Sequence, residues 1–203
     1  MCAYDQAVIR RLALVVVLLV AFGACSGKKK QEGLGESTPT TAAPAATATG
    51  APPWPLGAHQ ADRMVEAGLP QLRAEGSLVH YHAHLDVFYN GESVLVPASV
   101  GIDVDAQVIS PLHTHQPTGI IHVEAEKDEQ INIEQFLTEW GVKPQLPAVV
   151  YVNGQKSPRG PGTIIRGNTE IALVFGTAPA AIPSTYDCRL SPSDACDQIP
   201  QPS

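Results

Sequence analysis

The sequence predicts an α+β fold, a mixed β-sheet packed by one main helix. Three observations predict it. Residues 79–89, VHYHAHLDVFY, alternate strictly between two side-chain sets, the period of a strand. Residues 133–140, IEQFLTEW, carry Ile133, Phe136, Leu137 and Trp140 at helical spacing, with Asn132 as N-cap and Gly141 as C-cap. Apolar runs of strand length at 118–125, 148–152 and 170–175 lie on both sides of that helix in sequence, so it must lay its apolar face across a sheet built from both.

The N-terminus reads as a targeting device. Arg10 and Arg11 precede an uncharged stretch, 12–24, that ends in small residues, the n-region and h-region of a secretory signal. A membrane span needs about 20 apolar residues, and Lys28, Lys29 and Lys30 follow too soon for one. Phe22-Gly23-Ala24-Cys25 resembles a bacterial lipobox, although Phe22 stands where that pattern usually has Leu. The resemblance implies that residues 1–24 are a lipoprotein signal peptide and that Cys25 carries lipid as the first mature residue. The membrane is then a partner through Cys25, and the protein sits on the outer face of the bacterial cytoplasmic membrane. Residues 25–57, rich in Thr, Ala, Pro and Gly, have little to bury and read as the lipid anchor with a flexible linker. The lysines beside the anchor favour an anionic membrane surface.

A globular α+β domain is expected over 58–186. A helix at 58–69, with Met64, Val65 and Leu69 as its apolar edge, is stopped by Pro70, and a further helical turn follows at 71–75. After the strand at 79–89, Asn90-Gly91 is the preferred two-residue hairpin turn, with 93–97 as the return strand. Residues 99–110 connect to a proline-bounded loop containing His113-Thr114-His115, then to the strand at 118–125. A second Asn-Gly turn, Asn153-Gly154, follows the strand at 148–152. The tail, 187–203, contains Cys188 and Cys196, which in an oxidising compartment are expected to pair as a disulfide.

Two resemblances follow from these residues. The half from Ile131 onward, with WGV, VVYVNGQ and EIALVFG, resembles the C-terminal half of small β-grasp domains. HYHAHLDV with its NG hairpin, PLHTH, TGIIHVE and the terminal EIALVFG resemble a family of secreted or lipid-anchored prokaryotic proteins that has no assigned activity. That likeness spans about 79–186 and implies a shared domain, without site residues to carry over.

Six of the seven histidines, His80, His82, His84, His113, His115 and His122, fall within 43 residues. Imidazole is the commonest protein ligand for transition metals. Alternation puts His80, His82 and His84 on one strand face, with Asp86, and puts His122 with Glu124 opposite Ile121 and Val123. Asp86 and Glu124 are therefore the carboxylate partners on offer. Same-face neighbours along a strand are about 6.5–7 Å apart at the backbone, so cross-strand pairs, or one strand histidine with His113 and His115, are the better chelators. His82 and His84 read as strand ligands and His113 and His115 as mobile ones. His122, among Ile120, Ile121 and Val123, is a candidate ligand too, and of the six it is the one whose setting best suits a purely structural histidine bonded to a backbone carbonyl. Zinc suits such a set, and copper(II) suits imidazole too; a blue-copper centre lacks its thiolate and methionine.

The leading expectation is thus an extracytoplasmic, lipid-anchored protein that binds zinc or copper(II) through its histidines. The alternative is a structural or protein-interaction module whose histidines form a hydrogen-bonded network without metal. The third is a metal-dependent enzyme, for which the sequence offers no GxSxG elbow, phosphate-cradling glycine loop or HExxH helix, and only Glu124 or Asp86 as a general base. The net charge of −7 leaves no basic stripe for nucleic acid, and nothing in the residues points to a protein partner.

Overall fold

The computed structural model describes residues 46–186. The signal segment, Cys25, Cys188 and Cys196 lie outside the described residues. The elements, in order, are α1 (Gln60–Glu66), β1 (Val79–Tyr89), β2 (Glu92–Val94), β3 (Ile102–Asp103), β4 (Val108–Ile109), β5 (Leu112–His113), β6 (Ile120–Ala125), α2 (Ile133–Trp140), β7 (Ala148–Val152), β8 (Gln155–Lys156) and β9 (Glu170–Phe175), with one 3-10 turn at Gly160–Gly162. The class is α+β, as the alternation and the capped helix predict. Among the described residues no helix is long and apolar enough to cross a membrane.

The main sheet runs β5-β6-β1-β9-β7-β8, and β2 pairs with the far end of β1. β1 is antiparallel to β6 and parallel to β9, while β9 is antiparallel to β7. Both Asn-Gly turns have positive φ at each position, 50° and 88° at Asn90-Gly91 and 49° and 76° at Asn153-Gly154, the type I′ geometry whose twist suits a hairpin. One face of the sheet takes Ala83, Leu85, Val87, Ile121, Val123, Ile171, Leu173 and Phe175 into a core shared with Phe136, Leu137 and Trp140 of α2. The opposite face carries the histidines.

α2 begins as its sequence requires. The Asn132 side chain accepts from Gln135 N at 3.1 Å, and the Gln135 side chain accepts from Asn132 N at 3.0 Å, a reciprocal capping box. Gly141 closes the helix at φ 82°.

Several local expectations are corrected. α1 ends before Pro70, because Gly68 at φ 71° lets Leu69 N return to Met64 O at 2.8 Å and satisfy the last turn. Residues 71–75 form no helical turn; Leu72 instead exchanges two backbone hydrogen bonds with Ile109. The return strand β2 is shorter than 93–97. The PLHTH stretch is partly strand, as β5.

The described part of the segment read as linker, 46–57, packs on the domain. Ala48 bridges to Val142, and Trp54 is buried with its ring 5.9 Å from Trp140 and 5.4 Å from Phe175. Trp140 Nε1 donates to Trp54 O at 3.1 Å. Composition hid this, because one buried indole can order a stretch whose other side chains bury little.

Arg63 of α1 ties these parts together. It is buried without a carboxylate partner among the described residues, and its guanidinium donates to Ala58 O at 3.0 Å, Thr138 O at 3.3 Å and Ala46 O at 2.8 Å. Thr138 O belongs to the carbonyl end of α2, where a cation is favoured. Arg63→Met fills similar volume but removes three hydrogen bonds made by a buried guanidinium, so urea denaturation should show a loss of about 3 kcal/mol. A change under about 0.5 kcal/mol would mean water replaces the guanidinium.

Candidate metal centre

Strand register builds the site. β1 sets His82 opposite His122 of β6, and β5 sets His113 opposite the same His122 on its other side. Directly paired residues on neighbouring strands point to the same face. Three imidazoles therefore form a row across three strands, and His80 faces Glu124 in the next row. The ring of His122 lies 4.2 Å from that of His82, 5.1 Å from His113 and 4.6 Å from His115.

The nitrogens and oxygens converge. His113 Nε2 is 3.2 Å from His115 Nε2, and His80 Nε2 is 3.3 Å from His82 Nε2. Glu124 Oε1 lies 3.0 Å from His122 Nδ1, 3.5 Å from His80 Nε2 and 3.9 Å from His82 Nε2. Two groups result, His113, His115, His122 and Glu124, and His80, His82 and Glu124; within each, one ligand atom per residue lies within 4.8 Å of the others. Histidine and acidic groups are thus close enough to hold a metal ion.

Their surroundings suit ligation. His113 Nδ1 donates to Ser110 O at 3.0 Å, which fixes the tautomer and leaves the Nε2 lone pair facing His115. Burial, with the neighbouring His122, pushes the His113 pKa down to about 4, so this ring is neutral at physiological pH. Burial works against the Glu124 carboxylate, but hydrogen bonds from His122 and His82, with the charges of His113 and His80, outweigh it and hold its pKa well below the usual carboxylate range. His113, His122 and Glu124 are buried, whereas His80 and His115 are 46% and 39% exposed at the side chain, so the centre meets solvent along one rim.

Five of the six predicted histidines gather here; His84 does not. Its strand neighbour on the other side is Glu170 of β9, in register through the parallel pairing. His84 Nε2 donates to Thr118 O at 3.1 Å and Nδ1 lies 2.9 Å from Glu170 Oε2, so both ring nitrogens are engaged and a charge on the ring would face the carboxylate. Burial opposes that charge, but the Glu170 hydrogen bond and the charges of Glu170 and Asp86 prevail and raise the His84 pKa. Asp86 lies 4.0 Å from His84 Nδ1, so the predicted carboxylate partner belongs to this second group, His84, Asp86 and Glu170. The Thr118 carbonyl reaches His84 because residue 119 is glycine, at φ 83°; a Cβ there would stand 2.6 Å from Leu85 O.

Three further expectations are corrected. His113 is not on a mobile loop: it is wholly buried in β5. His122 occupies the middle of the cluster and touches the rings of His82, His113 and His115. His80 and His82, judged too far apart along one strand, meet at their ring nitrogens, because an imidazole extends far enough from the backbone for two rings to lean together.

Two acidic residues escaped the sequence reading. Glu75 Oε1 lies 3.2 Å from His115 Nε2 and 4.0 Å from His113 Nε2. Glu170 opens β9 and faces His84. Neither has a sequence signal, since one arrives by a loop and the other by a parallel pairing between strands 86 residues apart.

No family model, curated protein or solved structure matches the chain.

Proposed function

We propose that this is an extracytoplasmic, lipid-anchored domain that binds a divalent transition metal, zinc or copper(II), through His80, His82, His113, His115, His122 and Glu124. The observation that carries the reading is the convergence of ligand atoms from His113, His115, His122 and Glu124 to within 4.8 Å of one another. Neutral imidazoles with one carboxylate are a donor set for zinc and for copper(II). Met64 is buried with α1 in the interior, which leaves the donor set without a soft thioether. Anchoring is supported by the lipobox-like Phe22-Gly23-Ala24-Cys25, and Cys25→Ser should release the protein from membranes and abolish its labelling by radioactive fatty acid.

Metal binding is tested on the purified full chain. Metal content is measured as isolated, then the stripped protein is titrated with zinc and with copper(II). Dissociation constants no tighter than about millimolar for both ions would defeat the reading, since a preformed multi-imidazole site binds far more tightly.

A second reading has its own observation. The direct nitrogen contacts His113–His115 and His80–His82 are also short enough for N–H···N hydrogen bonds. A metal-free network of that kind predicts a melting temperature indifferent to chelator and to added zinc, where a metal site predicts a rise with zinc.

A further inference from the structure

The centre offers more ligands than one ion can use. Five imidazoles and Glu124 supply six donors before Glu75 is counted, whereas a zinc ion takes four. The surplus is organised. Two nitrogens bound to one tetrahedral ion at about 2.05 Å are separated by about 3.3 Å, the edge of the tetrahedron. That edge occurs twice, as His113 Nε2–His115 Nε2 at 3.2 Å and as His80 Nε2–His82 Nε2 at 3.3 Å. The two edges share no residue. Between them stands Glu124, the only residue common to both ligand groups among the described residues. Its Oε1 lies 3.0 Å from His122 Nδ1 on one side and 3.5 Å from His80 Nε2 on the other.

We propose that the centre is dinuclear: one divalent ion is held by His113, His115 and His122, a second by His80 and His82, and the Glu124 carboxylate bridges them. This rests on the metal-binding reading and adds to it the number of ions and their coupling. The first ion has three imidazoles and the bridge, a closed four-coordinate set. The second has two imidazoles and the bridge, and His80 lies at the exposed rim. Its remaining positions fall to water or a small anion from solvent. Carboxylate-bridged pairs hold their ions roughly 3.5–4 Å apart.

The His84, Asp86 and Glu170 group is the competing place for a second ion. Both nitrogens of His84 are engaged there, by Glu170 and by Thr118 O, which argues against an ion at that group.

The test uses the full chain, stripped and reloaded with copper(II) or zinc. Zinc is counted after desalting, and copper(II) is examined by electron paramagnetic resonance. Two ions per chain are expected, and the doubly loaded copper protein should show a spin-coupled signal well below two isolated spins. His80→Gln with His82→Gln should reduce the count from two to one and restore one isolated copper(II) signal. His84→Gln with Asp86→Asn should leave both the count and the coupling unchanged. A native count of one, two uncoupled copper spins, or loss of the second ion on changing His84 and Asp86 would each overturn the dinuclear centre while leaving metal binding intact. A count of zero would overturn metal binding and the dinuclear centre together.

Discussion

Zinc affinity is expected to fall about 10⁴-fold when His113 and His122 are both changed to Gln, at about 3 kcal/mol for each ligand lost. The two lie opposite each other on β5 and β6, and His122 is the ring that the others surround. His113 presents its lone pair at any pH above about 4, so no proton competes with metal there near neutrality. His84→Gln is the control. Both nitrogens of His84 are engaged by Glu170 and Thr118 O, so its replacement should shift zinc affinity by less than about threefold. Isothermal titration of the three proteins, with circular dichroism to confirm folding, decides the matter. An equal loss from His84→Gln would remove the distinction between the two groups.

The second large effect concerns stability rather than metal. Glu139 of α2 is fully buried, and neither carboxylate oxygen makes a hydrogen bond among the described residues; the nearby Ser110 side chain favours the charged form but is outweighed by burial. Burial pushes its pKa up to about 8 from an ordinary 4.5. Below about pH 4.5 the group is protonated folded and unfolded, and it has no effect on the pH slope. Between about 4.5 and 8 the folded protein keeps a proton that the unfolded chain gives up, so stability falls as pH rises. The whole decline is on the order of 5 kcal/mol. Glu139→Gln keeps the shape without the charge. Its urea midpoint should lack the Glu139 decline, so that its excess over the native protein grows from about pH 4.5 and levels off above about pH 8, on top of the slopes that His113 and His84 give both proteins. Parallel pH profiles for the two proteins would show that Glu139 ionises without cost, through water or a local opening.

Much of the fold is legible in the sequence because its signals are local. The alternation of 79–89 marks β1 residue for residue, the two Asn-Gly pairs mark their turns, and Asn132 with Gly141 brackets α2. The same alternation separates the histidine face from the core face, so the presence of a histidine-rich surface is also written in the chain. What the local signals misjudged is equally specific. Trp54 looked like part of a linker, since its partners Trp140 and Phe175 lie far along the sequence. β5 is two residues long and becomes a strand only because β6 is there to pair with it.

By itself, then, the sequence determined the α+β class, the positions of the principal strands and helix, and which side chains share a face. Only the tertiary structure decided which histidines meet. Alternation has a period of two and says nothing about register between strands, and register is set by how distant segments pack. Antiparallel pairing on one side of β1 brought His82, His122 and His113 into a row and placed Glu124 beside His80. Parallel pairing on the other side gave His84 to Glu170, and so divided one run of like residues into a candidate metal centre and a separate histidine–carboxylate contact.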